Sequence, residues 1–365
     1  MTRVWDRTED PLVTVIMPVR NESAYIERSL GSVIGQSYGL DRLQILVVDG
    51  DSSDDTRVRA RAVARLEGAT IEILDNPRRI APCALNIGLR AARGDVVVRV
   101  DGHCEIGALY VSKAVDHLRG GEIAGVGGPL DTVGETHTAR AIAAAMSSRF
   151  GVGGVAFRTA GPKAPDRDVD TVAFPAYPRQ VMVDAGGFDE ELMRNQDDEF
   201  NYRLRRLGHR IRLTSGLEAR YYSRGTFRSL ARQYFQYGIY KIRVLQKHPR
   251  QMSPRQFVPF AFVLALLAGL ALWPTAGPAP LLALLAAYGA ASATAALMLA
   301  SRSGWSLLPK LPLAFALLHL GYGAGSLVGL VRFAARWGDR RGQLPRDLAG
   351  EDAATPGPEG QVGAP

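Results

Sequence analysis

Between Arg255 and Arg332 this chain carries two charged side chains, Arg302 and Lys310, whereas the residues before them are densely charged. So long a stretch with so little charge cannot serve as the water-facing surface of a soluble domain. Within it, Phe257 to Trp273, Pro280 to Ala300 and Leu311 to Val331 each approach the length at which a helix crosses a bilayer. The 365 residues are therefore expected in two parts, a charged domain with its own core and a membrane region of three helices.

Basic residues favour the cytoplasmic ends of membrane helices. Lys247, Arg250 and Arg255 precede the first segment, Arg302 and Lys310 precede the third, and the link Pro274 to Pro278 is uncharged. No apolar run marks a secretory signal in Met1 to Pro11. These features predict a multi-pass protein of the inner (plasma) membrane whose charged domain stays in the cytoplasm. Arg332, Arg336, Arg340 and Arg341 run against the pattern, because a third crossing places them outside. Three crossings are still the expectation, since two crossings plus an embedded segment would bury Leu311 to Val331 in a less ordinary way. Thr226 to His248 is expected as an amphipathic helix at the membrane interface, with Phe227, Leu230, Tyr234 and Tyr237 on one side and basic residues elsewhere. The tail from Leu348 on is rich in Gly, Pro and Ala and is expected to be disordered.

A formal charge of +8 suits phosphate-bearing lipids or anionic nucleotides. It does not point to nucleic acid, because no zinc spacing or recognition-helix pattern accompanies it. Cys83 and Cys104 are too few for a disulfide scaffold and fit a reducing compartment.

Apolar runs at Val13 to Met17, Gln44 to Val48, Thr70 to Leu74 and Val96 to Val100 read as buried strands separated by helical patterns. The alternation predicts an α/β fold with a mainly parallel sheet. Ligands of such sheets sit beyond the carboxyl ends of the strands. Three polar clusters fall there: Pro18, Arg20, Asn21 and Glu22; Asp49, Asp51 and Ser52; and Asp101, Gly102 and His103. Asp49 can accept hydrogen bonds from a nucleotide base or ribose. Asp101 and His103, two apart in a turn, can face one divalent cation, with Gly102 letting the backbone approach its diphosphate. Carboxylate plus imidazole favours Mn2+ slightly over Mg2+. Asp197, Asp198 and Glu199 fall near a helix start, where the backbone dipole favours acids, and can supply a general base. Ala139 to Gly161 is small, apolar and glycine-rich and is expected as a tightly approached loop.

Other enzyme classes lack their signatures. The turn after the first strand has neither a glycine-rich dinucleotide loop nor a phosphate-loop lysine. No Gly-x-Ser-x-Gly elbow and no His-Glu-x-x-His spacing occurs.

Three stretches carry a family likeness: Val15 to Glu22, Val47 to Thr56, and Ala84-Leu85-Asn86-Ile87-Gly88. They resemble family 2 of the inverting glycosyltransferases, which have the GT-A fold, over about residues 12 to 245. Within that family the likeness is to the exopolysaccharide (succinoglycan) enzymes of the ExoA type. The resemblance implies an N-terminal extension at 1–11, a GT-A catalytic domain at 12–225, an interfacial helix and linker at 226–256, membrane helices at 257–335 and a tail at 336–365. It implies donor contacts from Pro18, Arg20, Asn21, Glu22, Asp49, Asp51, Asn86 and Asp101, with Asp49 on the base. It also implies that Asp101 is the first acid of the family's metal motif, with His103 in place of the second, for Mn2+ or Mg2+. Asp197 then matches the catalytic base, with Asp198 as second choice.

The implied activity is inverting transfer of one sugar from a nucleotide-sugar, UDP-linked in the commonest case, to a polyprenyl-diphosphate-linked or similar membrane acceptor. Other exopolysaccharide assembly proteins are the implied partners. Gln233-Tyr234-Phe235-Gln236-Tyr237 stands where processive synthases have Gln-x-x-Arg-Trp, which favours a single transfer over polymer extrusion. A processive synthase, and a tethered binding protein without catalysis, are the alternatives.

Overall fold

The computed structural model describes residues 9–161, 163–223, 225–345 and 347–348. Most of the expected N-terminal extension, and the tail beyond Leu348, lie outside the described residues. The alternating part runs β1 (Val13–Val19), α1 (Ile26–Ile34), β2 (Leu43–Asp49), α2 (Thr56–Leu66), β3 (Ile71–Asp75), α3 (Ala81–Ala91) and β4 (Val96–Arg99). Next come β5 (Cys104–Ile106), α4 (Tyr110–Arg119), β6 (Ile123–Gly128), β7 (Leu130–Val133), α5 (His137–Met146), α6 (Arg149–Val152) and α7 (Ala156–Thr159). They are followed by β8 (Arg167–Asp168), β9 (Ala173–Pro178), α8 (Arg179–Asp184), α9 (Gln196–Arg206), β10 (Arg210–Leu213) and β11 (Ala219–Tyr222). Four long helices complete the order: α10 (Phe227–Lys247), α11 (Val258–Ala276), α12 (Ala279–Ser303) and α13 (Leu311–Arg332).

The main sheet has the order β3-β2-β1-β4-β9-β6-β10-β8. Its β3, β2, β1 and β4 run parallel, while β9 enters antiparallel between β4 and β6. A smaller sheet joins β5, β11 and β7. The first strand is buried along almost its whole length, as its unbroken apolar run requires. It continues through Pro18, which pairs in register with Val48. Ile16 O accepts from Val100 N on the β4 side, and the pairing to β4 stops there. Pro18, two residues on, faces the same side beyond the ladder, so its missing N–H costs no sheet bond. Gly88 lets α3 lie on β1: a Cβ there would stand 2.5 Å from Ile16 Cγ2.

The glycine-rich stretch from Ala139 to Gly161 is not one loop but three helices, α5 to α7. Its alanines favour helix, and Thr136 Oγ1 caps α5 by accepting from Ala139 N at 3.1 Å. Gly153 then closes α6 in a left-handed conformation, φ 66°.

Among the described residues three helices, α11, α12 and α13 with the turn before it, are long and apolar enough to cross a membrane. The first two leave most of their side chains exposed, whereas α13 is more deeply buried. Its partner is α10. Gly321, Gly325 and Gly329 face Ala231, Phe235 and Ile239, and Gly238 of α10 faces Tyr322, so the two backbones touch side by side. The basic side chains of α10 do not all reach outward. Lys241, Arg243 and Lys247 are buried, paired with Asp198, Glu191 and Asp189 respectively. After α13 the chain stays on the α/β domain. Arg336 pairs with Glu191, Gln343 O accepts from Glu190 N at 3.1 Å, and Asp347 pairs with Arg90.

Candidate active site

A cavity of about 650 Å³ opens at the junction of β4, α6, α7, α9, α10 and the apolar helices. Its floor comes from the carboxyl end of β4, where Asp101 and His103 follow the strand. Asp197 and Asp198 stand opposite, in the first turn of α9. The structure therefore gathers these four sequence-expected residues into one volume.

Arg99, which no motif in the sequence marks, lies between them. Its Nε donates to Asp101 Oδ1 at 2.7 Å, Nη2 donates to Asp101 Oδ2 at 3.1 Å, and Nη1 donates to Asp197 Oδ1. It is 9% exposed although it is charged and belongs to a valine strand. A charge inside such a run is itself a signal, because arginine is buried almost only when paired. For Asp101, burial pushes the carboxyl up but the Arg99 guanidinium outweighs it, and the result lies below the ordinary value. For Asp197 burial wins: the carboxyl is raised, aided by Asp101 and Asp198 and only partly offset by Arg99. A carboxylate raised in this way is a stronger base than one in water. Asp198 pairs instead with Lys241 from α10. Behind them Glu199 is locked by Arg203 and His248; burial raises it, these partners lower it further, and it ends at about 2.

The other expected residues stand apart from this cavity. Asn21 adopts φ 55° and its Oδ1 accepts from Ser53 N at 2.8 Å, while its own N–H donates to Ser52 Oγ at 2.9 Å. Asp49 is 1% exposed and is held by Ser52 and by Arg57 Nε at 2.6 Å. Asp51 is paired with Arg79 at the surface, and Arg20 is exposed. These residues form a polar ledge beyond β1 and β2. Asn86 is fully buried, donating to Phe188 O at 2.8 Å and Glu190 Oε1 at 3.0 Å and accepting from Phe188 N at 2.8 Å. It holds the loop before α9. Glu22 links ledge and cavity, with Oε1 2.9 Å from His103 Nδ1. A Cβ on Gly102 would meet Glu22 Cγ at 2.8 Å, so that glycine makes room for Glu22.

Whether these residues suit a divalent cation turns on His103. Nδ1 faces the Glu22 carboxylate, and a neutral ring donating there would leave Nε2 as its lone-pair nitrogen, the arrangement that carboxylate-backed histidine ligands use. Asp101 is the nearby acid, and no group of three His, Cys, Asp or Glu ligands occurs among the described residues. An ion held here would share Asp101 with Arg99, which already donates to both carboxylate oxygens, and would need its remaining ligands from a bound diphosphate.

The cavity changes character along its length. Near Asp101 it is charged, with Arg99, Arg194 and Lys241 on its walls. Toward α11, α12 and α13 it is lined by Phe150, Phe262, Tyr288, Leu318 and Tyr322.

Comparison with known proteins places this architecture. The family model "Glycosyl transferase family 2" matches residues 14–162. A succinoglycan biosynthesis protein, ExoA of Rhizobium meliloti, is 30% identical over 259 residues, which is 68% of this chain and 76% of that protein. A Methanococcus voltae enzyme described as a dolichyl N-acetyl-alpha-D-glucosaminyl phosphate 3-beta-D-2,3-diacetamido-2,3-dideoxy-beta-D-glucuronosyltransferase is 25% identical over 262 residues, 70% of this chain and 80% of its own. Among solved structures, the mannosyltransferase PcManGT of Pyrobaculum calidifontis, in complex with GDP-Man and Mn2+, superposes with a TM-score of 0.54 at 23% identity, covering 89% of this chain and 91% of that one. The parallel sheet, the acids at its carboxyl edge and the three apolar helices thus have one explanation: the chain is a glycosyltransferase of family 2 with a GT-A fold.

Proposed function

We propose that this enzyme transfers one sugar, with inversion, from a nucleotide-sugar to a polyprenyl-diphosphate-linked acceptor at the cytoplasmic face of the plasma membrane, in exopolysaccharide or cell-envelope glycan synthesis. The observation that carries the reading is the two-ended cavity. One end holds acids and guanidinium groups suited to a sugar diphosphate, and the other is an apolar, aromatic-lined end among helices fit for lipid. An amphiphilic acceptor matches both ends at once. The two curated relatives are named for succinoglycan biosynthesis and for a dolichyl-phosphate-linked sugar, which agrees with a lipid-held glycan.

In the transfer, Asp197 accepts the proton of the attacking acceptor hydroxyl. The acceptor oxygen forms its bond to the anomeric carbon as the bond from that carbon to the diphosphate breaks. The electron pair leaves with the nucleoside diphosphate, UDP in the first instance. Arg99 holds Asp197 in place, and Arg194 adds positive charge near the leaving group. A divalent cation, Mn2+ or Mg2+, neutralises charge on a departing diphosphate. Asp101 and His103 would hold it, with Glu22 fixing the His103 tautomer. Asp49 and the ledge around Asn21 and Ser52 would receive the nucleoside.

Asp197→Asn keeps the shape and removes the proton acceptor. Turnover should fall by about 10²-fold or more. The dissociation constant for UDP, measured by calorimetry, should stay near the parent value. A variant that turns over normally while Asp198→Asn fails would move the base by one residue and sink this assignment. Product sizing should show one added sugar, and a ladder would point to a processive enzyme.

A further inference from the structure

A second pocket of about 450 Å³ adjoins the catalytic cavity and shares Arg194 and Gln233 with it. It lies at the amino end of α10. Three of its wall residues are arginines, Arg194, Arg228 and Arg232, and none is acidic. Arg228 and Arg232 are exposed and four residues apart on one helix, a spacing at which like charges repel. Arg228 also stands in the first turn of α10, whose free N–H groups already make that end positive, and no acid occupies that turn. Among the described residues neither Arg228 nor Arg232 has an acidic partner. Elsewhere α10 behaves differently, since Lys241, Arg243 and Lys247 are each matched by a carboxylate. The unmatched cations are thus confined to the pocket.

Gln233 supplies an independent sign of a ligand. It is 4% exposed, and its Oε1 is buried with no partner. Its Nε2 lies 3.1 Å from the Tyr237 hydroxyl. Turning the amide over lets the tyrosine hydroxyl donate to Oε1 and frees both Nε2 hydrogens for an acceptor atom in the pocket. An anion would therefore satisfy Gln233 and relieve the crowding of Arg228 and Arg232 together. Ser229 adds a hydroxyl at the same wall.

We propose that this pocket is an anion subsite that takes the phosphate or diphosphate of the lipid-linked acceptor. The assignment rests on the transfer reading above. In that reading the donor's diphosphate belongs to the Asp101 and His103 end, which leaves the acceptor as the other phosphate-bearing substrate. Arg194, present in both volumes, joins the two. The acceptor's phosphate is held by guanidinium groups on α10 while its sugar hydroxyl reaches Asp197 and its hydrocarbon runs toward Phe262 and Tyr288.

The test uses full-length protein in phosphatidylcholine nanodiscs and the variant Arg228→Gln/Arg232→Gln, whose exposed positions leave the core untouched. Inorganic pyrophosphate is titrated calorimetrically in the presence of EDTA, which removes any cation that would carry it to Asp101 and His103. The parent should bind, and the double variant should bind about 10-fold more weakly or worse, because two charge-assisted contacts are lost. In a second titration, UDP with Mn2+ should bind both proteins alike. Equal pyrophosphate affinities would overturn the proposal. So would a parallel loss of UDP affinity, which would give the pocket to the donor. Discs containing phosphatidylglycerol supply the third arm: if they abolish pyrophosphate binding to the parent, the pocket takes bulk lipid headgroups and not the acceptor. Failure of the transfer reading looks different, as absence of UDP binding to the parent with the pyrophosphate comparison intact.

Discussion

A single guanidinium in a valine strand ties together two acids of the candidate site. Arg99 reaches Asp101 on one side and Asp197 on the other, so one cation acts on both the proposed donor end and the proposed base. The acids were legible in the sequence because they sit at strand ends and a helix start, where polar residues converge on a sheet's ligand edge. Arg99 was not, because a period-two or apolar-run reading treats an interior strand position as packing. Asn86 is a different case. It belongs to a family motif, yet its amide is spent on Phe188 and Glu190. A motif can mark a residue that supports a site from behind, and only contacts distinguish the two. The Arg99 arrangement has a pH consequence. As the proposed base, Asp197 must be ionised to act, and its carboxyl is raised by burial with Arg99 pulling it down. Activity is therefore lost as pH falls through the Asp197 pKa, and removing Arg99 raises that pKa further. For Arg99→Gln the acidic limb of kcat should move up by about one pH unit or more, with Arg99→Lys lying between variant and parent. An unmoved limb in the pH profile would reduce Arg99 to a structural strut.

At the scale of elements, the four parallel strands could be read from the chain because strands buried on both faces are unbroken apolar runs. The region from Ala139 to Gly161 could not. Its glycines hid the alanine-rich helix α5, and the short helices α6 and α7 have too few residues to show a period. The α10 helix was visible as amphipathic, but the sequence does not say what each face meets. Its buried lysines and arginine sit against acids distant in the chain, a pairing no local pattern encodes. The glycine row of α13 is what brings α10 and α13 together. A Cβ on Gly329 would stand 2.7 Å from Ile239 O, one on Gly321 3.2 Å from Ala231 O, and one on Gly325 would run into Phe235 O. Gly325→Val should therefore force the helices apart and lower Tm by about 5 °C or more in detergent. Gly289→Val, in α12 with open space around it, should leave Tm near the parent value. Equal melting temperatures for the two variants would show that the seam is not tight.

At the scale of the molecule, the seam and the segment after it decide how the chain meets the membrane. The chain leaves the α/β domain at Arg255, whose guanidinium contacts Asp170 at 3.2 Å and Gly154 O at 3.1 Å. It is back on the same domain by Arg336, which pairs with Glu191, and Arg243 Nη1 donates to Asp339 O at 2.8 Å. A path that starts and finishes on one side of a membrane crosses it an even number of times. The expectation of three crossings rests on length and apolarity, and by those measures α13 qualifies. What composition does not see is that α13 lies along α10, a helix with Arg228 and Arg232 exposed, which no bilayer core accommodates. We therefore expect two crossings, α11 and α12, joined on the far side at Gly277, with α13 held against the catalytic domain at the cytoplasmic surface. That arrangement also removes the conflict posed by Arg332, Arg336 and Arg341, which now obey the usual charge bias. Cys83 and Cys104 are buried, so single cysteines added elsewhere can be read by a membrane-impermeant maleimide. In intact cells Ala276→Cys should label from outside, and Gly338→Cys should label only after the membrane is opened. Outside labelling of Gly338→Cys would restore the third crossing, and silence at both positions in intact cells would mean that α11 and α12 do not span.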